Sequence, residues 1–326
     1  MEYKYKERQR QENLIKNTSI FYGDKGNGVF RKRHYTFVLA NGVNNLYAPI
    51  RNDVIKYFEK NHITWWGGGS SPSGHTLSSQ IACLNHLFGI RNDACAVLSL
   101  VNNIRSEFIK VLPIPCDAEP YSYISFEVVS DNDYLNEKYS YRGKNCTSID
   151  ALIYAQHKNG QLWLIPIEWK YTESYATNDK SNEDRHGEAK WTNGKGLERL
   201  RRYTELIHKS QQLKSVEHYG GSVYFQEPFY QLMRQTLWAE NMVSNKNTER
   251  LKADDYLHIH VVPKDNQKLL DKLYKVSGMN MEDTWRSMLI DEQKYVLIDP
   301  QNLMHPLSSS YMDLYAYLNK RYWGNI

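Results

Sequence analysis

The chain has 326 residues, 41% apolar and 24% charged, a composition that is ordinary for a folded protein with a substantial buried core. The formal net charge of +4 and the pI near 8.6 permit nucleic-acid binding but do not require it, since dedicated nucleic-acid-binding domains are usually more basic. No stretch approaches the length of a transmembrane helix, which argues against an integral membrane protein.

The cysteine spacing and the charged opening segment bear on the cellular compartment. The four cysteines show no paired spacing, so neither a zinc knuckle nor a disulfide framework is indicated, and we expect buried thiols. They are Cys83, Cys95, Cys116 and Cys146. No apolar run follows the charged residues 2–10, so we expect a cytoplasmic protein without a membrane partner.

Residues 1–74 are predicted to form an N-terminal accessory region. A helix or arm is expected over 1–20, a strand over 35–40 and a short helix around Val54–Phe58, followed by a flexible loop over 65–74. Two basic clusters are either phosphate contacts or solvated faces. The clusters are Arg31, Lys32, Arg33 and His34, and Lys195, Arg199, Arg201 and Arg202.

A helix is predicted over 78–90, because apolar residues recur at helical spacing and Ser78 can cap its start. A second helix follows the capping residue Asp93, and residues 123–129 are expected to form a strand that carries Glu127. Glu127 is a candidate metal ligand, although an exposed glutamate on a strand is at least as common.

The next pattern predicts a β-hairpin. Residues 149–155 and 162–167 resemble strands, and the turn signal Lys158-Asn159-Gly160 lies between them. Asp150 lies on the first arm, while Glu168 and Lys170 lie at the end of the second. Because side chains alternate along a strand, Glu168 and Lys170 point to one face and Trp169 to the other.

Two carboxylates at one place repel each other unless a cation neutralises them, and oxygen ligands suit a hard ion such as Mg²⁺. Such an ion can activate a water and stabilise charge on a phosphoryl group, and Lys170 would orient that water. A lysine suits this role because it is a compact cation whose pKa can fall near other charges and under desolvation. The alternative is that Asp150 caps a turn and that Glu168 and Lys170 form an exposed ion pair.

Downstream of the hairpin, helical spacing resumes at Leu197, and Pro228 opens another helix whose polar stripe comprises Gln231, Arg234, Gln235 and Trp238. The alternating run 256–262 predicts a further strand. Its residues His258 and His260 could bind a transition metal, but we favour a structural role. Residues 264–326 are expected to be a helical extension packed on the core, with one short strand at 295–298.

An aspartate early in one hairpin strand and a Glu-x-Lys tripeptide at the end of the next resemble the PD-(D/E)XK nuclease superfamily. Four stretches together are also similar to a bacterial family of restriction-endonuclease-like proteins. They are GHTLSSQ (74–80), RGKNCTSID (142–150), IEWKYTE (167–173) and PFYQLMRQ (228–235). Ile149 stands where the superfamily has proline in its most typical form, and Gln80 stands where many relatives carry a helix-borne glutamate.

The resemblance implies an α/β fold with a mixed sheet. Its restriction-endonuclease-like core, a helix, three strands, a helix and a strand, would occupy 75–263 with helical additions. It implies Asp150, Glu168 and Lys170 as catalytic residues, and Asp150, Glu168 and the Trp169 carbonyl as Mg²⁺ ligands, with Mn²⁺ able to substitute. The third side-chain ligand stays open between Glu127 and Gln80. Supporting or substrate-contacting residues would be Ser79, Gln80, Gln231, Arg234 and Gln235.

The resemblance implies Mg²⁺-dependent hydrolysis of DNA, most simply of double-stranded DNA. A homodimer is possible, and defence against foreign DNA is one biological context for such an enzyme. A catalytically silent binding or interaction module of the same fold is the first alternative. A nuclease acting on RNA or on structured DNA is the second, since phosphate contacts look alike in all these substrates.

Overall fold

The computed structural model describes residues 2–66, 69–116, 119–138, 146–175, 179–183 and 194–324. Positions 67–68 of the predicted loop 65–74 and positions 142–145 of the motif RGKNCTSID lie outside these residues. So does much of the polar, charged stretch 172–193, for which the sequence predicts a long loop. Within the described ranges, the helices are all too short or too polar to cross a membrane.

Groups of helices and groups of strands follow one another along the described chain. The helices are α1 (Tyr3–Asn17), α2 (Arg51–Lys60), α3 (Ser79–Leu87), α4 (Ala94–Ile104), α5 (Lys195–Lys209), α6 (Phe229–Ser244), α7 (Gln267–Leu270), α8 (Met281–Ser287), α9 (Pro300–Met304) and α10 (Met312–Leu318). The strands are β1 (Gly28–Phe30), β2 (Arg33–Tyr35), β3 (Phe108–Leu112), β4 (Ile114–Cys116), β5 (Glu119–Ser122), β6 (Ile124–Val128), β7 (Ile149–His157), β8 (Leu162–Trp169), β9 (Asp255–Tyr256), β10 (His258–Val261) and β11 (Tyr295–Ile298).

The central sheet is mixed, with the order β11, β10, β8, β7 and β3. β7 is antiparallel to β8, and β3 and β6 pair with different halves of the outer edge of β7. β10 is parallel to both β8 and β11, and β9 continues the same edge of β8. The predicted α/β fold with a mixed sheet is therefore confirmed.

The hairpin of β7 and β8 forms the middle of the sheet because its sequence suits burial on both faces. Every residue of β8 after Leu162 is buried, as expected for a strand covered by helices on both sides. Gly160 closes the turn with φ +90, a backbone conformation that glycine adopts without strain. Asp150 and Glu168 lie at the opposite end of the hairpin from this turn.

Helices cover the sheet on both faces. One core cluster joins Ile153, Ile165 and Trp169 of the sheet to α2, α3, α4 and α10, and it also includes Tyr3 and Tyr322 near the two ends of the chain. The other joins Leu152 and Leu164 to α5, α6 and α8. The predicted division at residues 74 and 263 stays a prediction.

Several local expectations are wrong. The strand expected over 35–40 is not formed, because the ladder with β1 ends at Tyr35 and the chain then turns away, with Phe37, Val38 and Leu39 buried by packing. β3, β4 and β5 were not predicted, and α7, the first helix of the C-terminal extension, is only four residues long.

The expectation of buried cysteines holds for Cys83, whereas Cys95 is exposed and Cys146 is half-buried. The side chain of Cys116 lies outside the described part of the structure.

Candidate active site

The strand register places three carboxylates in one row across the sheet. Ala151 of β7 pairs with Ile167 of β8, so Asp150 lies opposite Glu168. Phe126 and Val128 of β6 pair with Ala151 and Ile149, which puts Glu127 opposite Asp150. Residues at facing register positions share one face of a sheet, so the three acids come together although 41 positions separate Glu127 from Glu168.

Asp150 is held at the end of β7 by the backbone of the neighbouring strand. Its Oδ2 accepts a hydrogen bond from the Trp169 N–H at 2.7 Å. The N–H of Lys170 instead donates to Val261 of β10, so Trp169 directs its backbone polar groups toward the β7 side. Asp150, the Trp169 backbone and Glu168 therefore adjoin one another, as the sequence predicts.

Glu168 and Lys170 form a buried ion pair, with only 3% and 4% of their surface exposed. Lys170 Nζ donates to Glu168 Oε1 and to Gln231 Oε1. Burial by itself lowers the pKa of Lys170, but the Glu168 carboxylate and neighbouring groups raise it well above its usual value. The fall in pKa that burial alone would cause therefore does not occur, and Lys170 stays a cation because it has a charged partner at contact distance.

The polar stripe of α6 holds these groups in position. Gln235 donates through Nε2 to Glu168 Oε2, and its Oε1 lies 2.8 Å from His258 Nε2. Gln231 accepts from Lys170 and also from the Tyr175 hydroxyl at 3.2 Å. Both glutamines were predicted as supporting residues, and the structure brings both onto the Glu168–Lys170 pair.

Arg234 has a different partner. Its Nη2 and Nε donate to Glu137 Oε1 at 2.8 and 3.1 Å. Glu137 also accepts from the Tyr203 hydroxyl at 2.6 Å and from the hydroxyl of Thr147 at 2.8 Å. Although burial acts to raise the pKa of Glu137, Arg234 and these hydrogen bonds hold it below its usual value. Arg234 thus lies beside the row of acids with its charge balanced by Glu137.

Glu127 connects the acids to the start of α3. Its carboxylate accepts hydrogen bonds from Gln80 Nε2 and Ser148 Oγ, each at 2.7 Å. Gln80 also accepts the Trp66 N–H at 2.9 Å. The backbone of Glu127 has φ +49, a left-handed conformation that is uncommon outside glycine and is often retained at functional sites. Glu127 and Gln80, the two candidates for a third ligand, therefore contact each other.

A cavity of about 450 Å³ opens over the row of acids. All the predicted site residues line it: Ser79, Gln80, Glu127, Asp150, Glu168, Trp169, Lys170, Gln231, Arg234 and Gln235. Ser79 is half-buried at the first position of α3, after the capping residue Ser78. The other residues of the wall are Thr64, Trp66, Cys146, Thr147, Ser148, Glu173 and Tyr175.

The acids are energetically costly as they stand. Burial, followed by the charges of Glu168 and Glu127, raises the pKa of Asp150 well above its usual value. Burial also raises the pKa of Glu127, and the charge of Glu168 adds to it. Buried like charges of this kind are relieved by a cation, and carboxylate and carbonyl oxygens are the donors that a hard divalent ion prefers.

The oxygen donors of Asp150 and Glu168 therefore suit such an ion, but side chains alone do not complete its coordination shell. In the described ranges, no three His, Cys, Asp or Glu side chains are grouped so as to hold a metal by themselves. Both oxygens of Glu168 also accept hydrogen bonds from Lys170 and Gln235. A bound ion would need water or substrate oxygens for its remaining positions, as Mg²⁺ commonly does.

His258 and His260 are buried on the same face as Glu168, since His260 pairs with Glu168 in register. Burial lowers the pKa of His258 to about 4 and that of His260 well below its usual value, so both rings are neutral near pH 7. His258 contacts Gln235, and His260 Nδ1 lies 2.8 Å from the Tyr295 hydroxyl. These contacts agree with the structural role that was favoured for the two histidines.

Sequence reasoning missed several residues of the site. Glu137, Thr147, Ser148 and Tyr175 lie in segments without regular periodicity, where spacing indicates nothing about direction. Thr147 and Ser148 carried a signal, because both belong to the stretch RGKNCTSID (142–150), and Ser148 also precedes Asp150 by two positions and so shares its side of an extended chain. Trp66 was assigned to a flexible loop.

Comparisons with known proteins give one match. No curated protein and no solved structure matches the chain significantly. One family model, described as Restriction Endonuclease associating with ARP, matches residues 7–323, which is nearly the whole chain and includes every residue of the cavity. The chain therefore belongs to this family of restriction-endonuclease-like proteins.

Proposed function

We propose that the protein is a Mg²⁺-dependent nuclease that hydrolyses phosphodiester bonds of DNA, on a PD-(D/E)XK, restriction-endonuclease-like core. One observation carries the proposal: Glu127, Asp150 and Glu168 share a row across three paired strands, beside the buried cation Lys170 and beneath an open cavity. An acid pair with a fixed lysine is the arrangement that metal-assisted phosphoryl chemistry needs.

Asp150, Glu168 and the Trp169 carbonyl would hold the metal, with Glu127 as the further candidate and Mn²⁺ as a substitute for Mg²⁺. When bound, such an ion lowers the pKa of a water and offsets negative charge on the phosphoryl oxygens. The Trp169 N–H keeps Asp150 in one orientation, and Gln235 does the same for Glu168. A ligand set restrained in this way loses little entropy on binding.

Lys170 would act as a positioned cation. Its raised pKa keeps it protonated at neutral pH, so it donates hydrogen bonds and does not abstract a proton. Glu168 and Gln231 each take one of its three donors, which leaves the third for the attacking water or a phosphate oxygen. Arg234 at the cavity wall has its charge balanced by Glu137, so it would contact the DNA backbone as a hydrogen-bond donor.

Cleavage assays test the proposal. Supercoiled plasmid, linear duplex, single-stranded DNA and RNA are incubated with the protein in Mg²⁺, in Mn²⁺ and in chelator. We expect DNA to be cut only with metal, and Asp150→Asn and Lys170→Met to reduce the rate by at least about a hundredfold. Unchanged cleavage in both variants would overturn the assigned site, and preferential cutting of RNA would overturn DNA as the substrate.

A binding module that does not cut is the second candidate. It is favoured by the engagement of both Glu168 oxygens by Lys170 and Gln235, and by the family description, which names an association with ARP. For either candidate, the proposal includes an association with such a partner, a homodimer and a cytoplasmic location. DNA binding without cleavage on every substrate and with either metal would select this candidate over the nuclease.

A further inference from the structure

A basic and aromatic surface lies at the rim of the acidic cavity and takes no part in the chemistry proposed above. It consists of the β1–β2 hairpin (28–35), Trp66 and His75. The Phe30 ring stacks on Trp66 with centroids 5.1 Å apart and planes within 17°. Both rings also contact His75 edge-on. Trp66 lines the cavity and is 43% exposed, a large fraction for a tryptophan.

The tip of the hairpin is basic and strained. Phe30 pairs with Arg33, so Arg31 and Lys32 form a two-residue turn. Both have left-handed backbones, with φ of 47 and 66, in a turn that normally selects Asn-Gly. Arg31 and Lys32 are exposed charged residues at positions where glycine would be less strained, which indicates that their charge has a function.

The charges at this tip differ from those of the second basic cluster in their surroundings. Within the described ranges, no carboxylate lies at ion-pair distance from Arg31, Lys32 or Arg33, and all three side chains are exposed. The second basic cluster differs, because Arg199 pairs with Glu183 and Arg202 with Glu198. The hairpin is therefore the better phosphate-binding surface of the two clusters.

The aromatic stack is attached to the acidic site. The backbone N–H of Trp66 donates to Gln80, and Gln80 donates to Glu127, so one side chain links the Trp66 backbone to the row of acids. Phe30 covers one face of the indole, and the rest of the ring borders the cavity. A flat apolar surface of this kind beside free cations is how proteins hold unpaired bases.

We propose that this surface binds a DNA strand with an unpaired base, which stacks on Trp66 while Arg31, Lys32 and Arg33 contact its backbone. Bases within an intact duplex already stack on one another, so the exposed indole favours single-stranded, frayed or gapped DNA beside the acids. The inference rests on the proposed function for the cleavage that follows, but the binding itself needs no metal.

The test measures binding in chelator, by fluorescence anisotropy of a labelled single strand and of the duplex of the same sequence. Trp66→Leu keeps an apolar side chain and removes the stacking face. We expect it to weaken single-strand binding on the order of tenfold and duplex binding by less than about twofold, with Trp66→Tyr restoring most of the loss. An equal effect on both forms, or no effect on either, would overturn the stacking role.

The hairpin charges are tested without damaging the turn. The double variant Arg31→Asn, Lys32→Gly places the preferred residues in this turn, so it should fold at least as well as the native sequence. We expect weaker binding of the single strand. A plot of log affinity against log salt concentration should become less steep by about 1.4, because each of the two lost phosphate contacts contributes about 0.7 to the slope. An unchanged slope would remove the hairpin from the binding surface.

Two matched controls are available. Lys158 is an exposed lysine at the turn of the β7–β8 hairpin, at the end of the sheet away from the acids, so Lys158→Ala should leave binding unchanged. Tyr22 is an exposed ring covered on one face by Arg51 and outside the cavity wall, so Tyr22→Leu should also have no effect. Losses in these controls as large as those in the test variants would overturn the inference.

The two proposals can fail separately. Trp66-dependent binding of single strands by a protein that cuts nothing would leave this inference standing and remove the nuclease. Metal-dependent cleavage that needs Asp150, while Trp66→Leu binds and cuts every DNA as the native protein does, would keep the nuclease and remove the inference.

Discussion

At the residue scale, the site is built from charges that are unfavourable until something binds. Asp150 faces two other carboxylates, and burial adds to the cost of ionising it. Lys170 is the nearby cation that lowers this cost, and it is already bonded to Glu168 and Gln231. A site of this kind lowers the free energy of unfolding in return for function, and the size of this loss can be measured.

Asp150→Asn is expected to stabilise the metal-free protein by about 0.5–2 kcal/mol at pH 7 while abolishing cleavage. The neutral amide keeps an oxygen that accepts the Trp169 N–H, and it removes one buried like charge. Thermal unfolding in chelator measures the gain. Mg²⁺ should then raise the melting temperature of the native protein but not that of the variant. A less stable Asp150→Asn protein would contradict this account of the site.

Arg234 and Glu137 allow a second test at this scale. Arg234→Met leaves the Glu137 carboxylate buried without its cation, so we expect a loss of about 3–5 kcal/mol in the free energy of unfolding. The double variant Arg234→Met, Glu137→Met should recover most of that loss, because no charge is then left unpaired. Urea unfolding of the two single variants and the double variant measures the coupling. Simple additivity of the losses would show that the pair does not act as a unit.

At the element scale, α6 positions the chemistry from the face of the sheet that carries the acids. One stripe of the helix presents Gln231, Arg234 and Gln235 to the cavity, while its other side packs in the core with Leu232, Met233 and Leu237. Because the helix is anchored by that packing, its glutamines hold Glu168 and Lys170 in one geometry. Gln235 also joins Glu168 to His258 of β10.

Gln235→Ala is expected to reduce cleavage by about 10- to 100-fold, the usual cost of removing a group that orients a metal ligand. It should also lower the free energy of unfolding by about 1–3 kcal/mol, since an oxygen of Glu168 and Nε2 of His258 lose their partner. Asn241→Ala on the same helix is the control, because the Asn241 side chain donates to the carbonyl of Leu237 one turn earlier and lies outside the cavity wall. Metal titrations of both variants would separate weaker metal binding from slower chemistry.

At the scale of the whole molecule, buried neutral histidines make stability depend on pH. Burial lowers the pKa of His86 to about 3 and the pKa values of His75 and His258 to about 4. Unfolded histidine titrates near 6.5, so between that pH and the folded pKa the unfolded chain binds more protons. The stabilisation from these residues is complete above about pH 6.5 and is lost as the pH falls toward 4.

His86 allows this dependence to be measured in isolation. It lies in the core against Trp169 and Tyr322, and its Nδ1 lies 2.6 Å from the carbonyl of Ala82. Between pH 6.5 and 4 the native protein should lose on the order of 3 kcal/mol more stability than His86→Gln. The carboxylates with raised pKa values titrate in both proteins, so their opposite contribution cancels in the comparison. Equal pH dependence in the two proteins would show that His86 is not held neutral by burial.

The sequence by itself determined the elements whose pattern is local. The hairpin of β7 and β8, its turn at Gly160, and the two acids and lysine at its open end follow from alternation and turn chemistry. Spacing likewise indicated α3, α6 and β10, because each has a strong apolar period and α3 has a capping serine. The family match covers these same segments.

Only the tertiary structure decided which residues meet. Glu127 is brought to Asp150 by a strand register, Glu137 to Arg234 across 97 positions, and Trp66 to Glu127 through Gln80. The direction of the Lys170 pKa shift also depended on contacts, since burial alone lowers that pKa and the Glu168 carboxylate raises it. Local patterns specify secondary structure, whereas partners distant in sequence are chosen by packing and by the pairing of buried polar groups, which no single segment encodes.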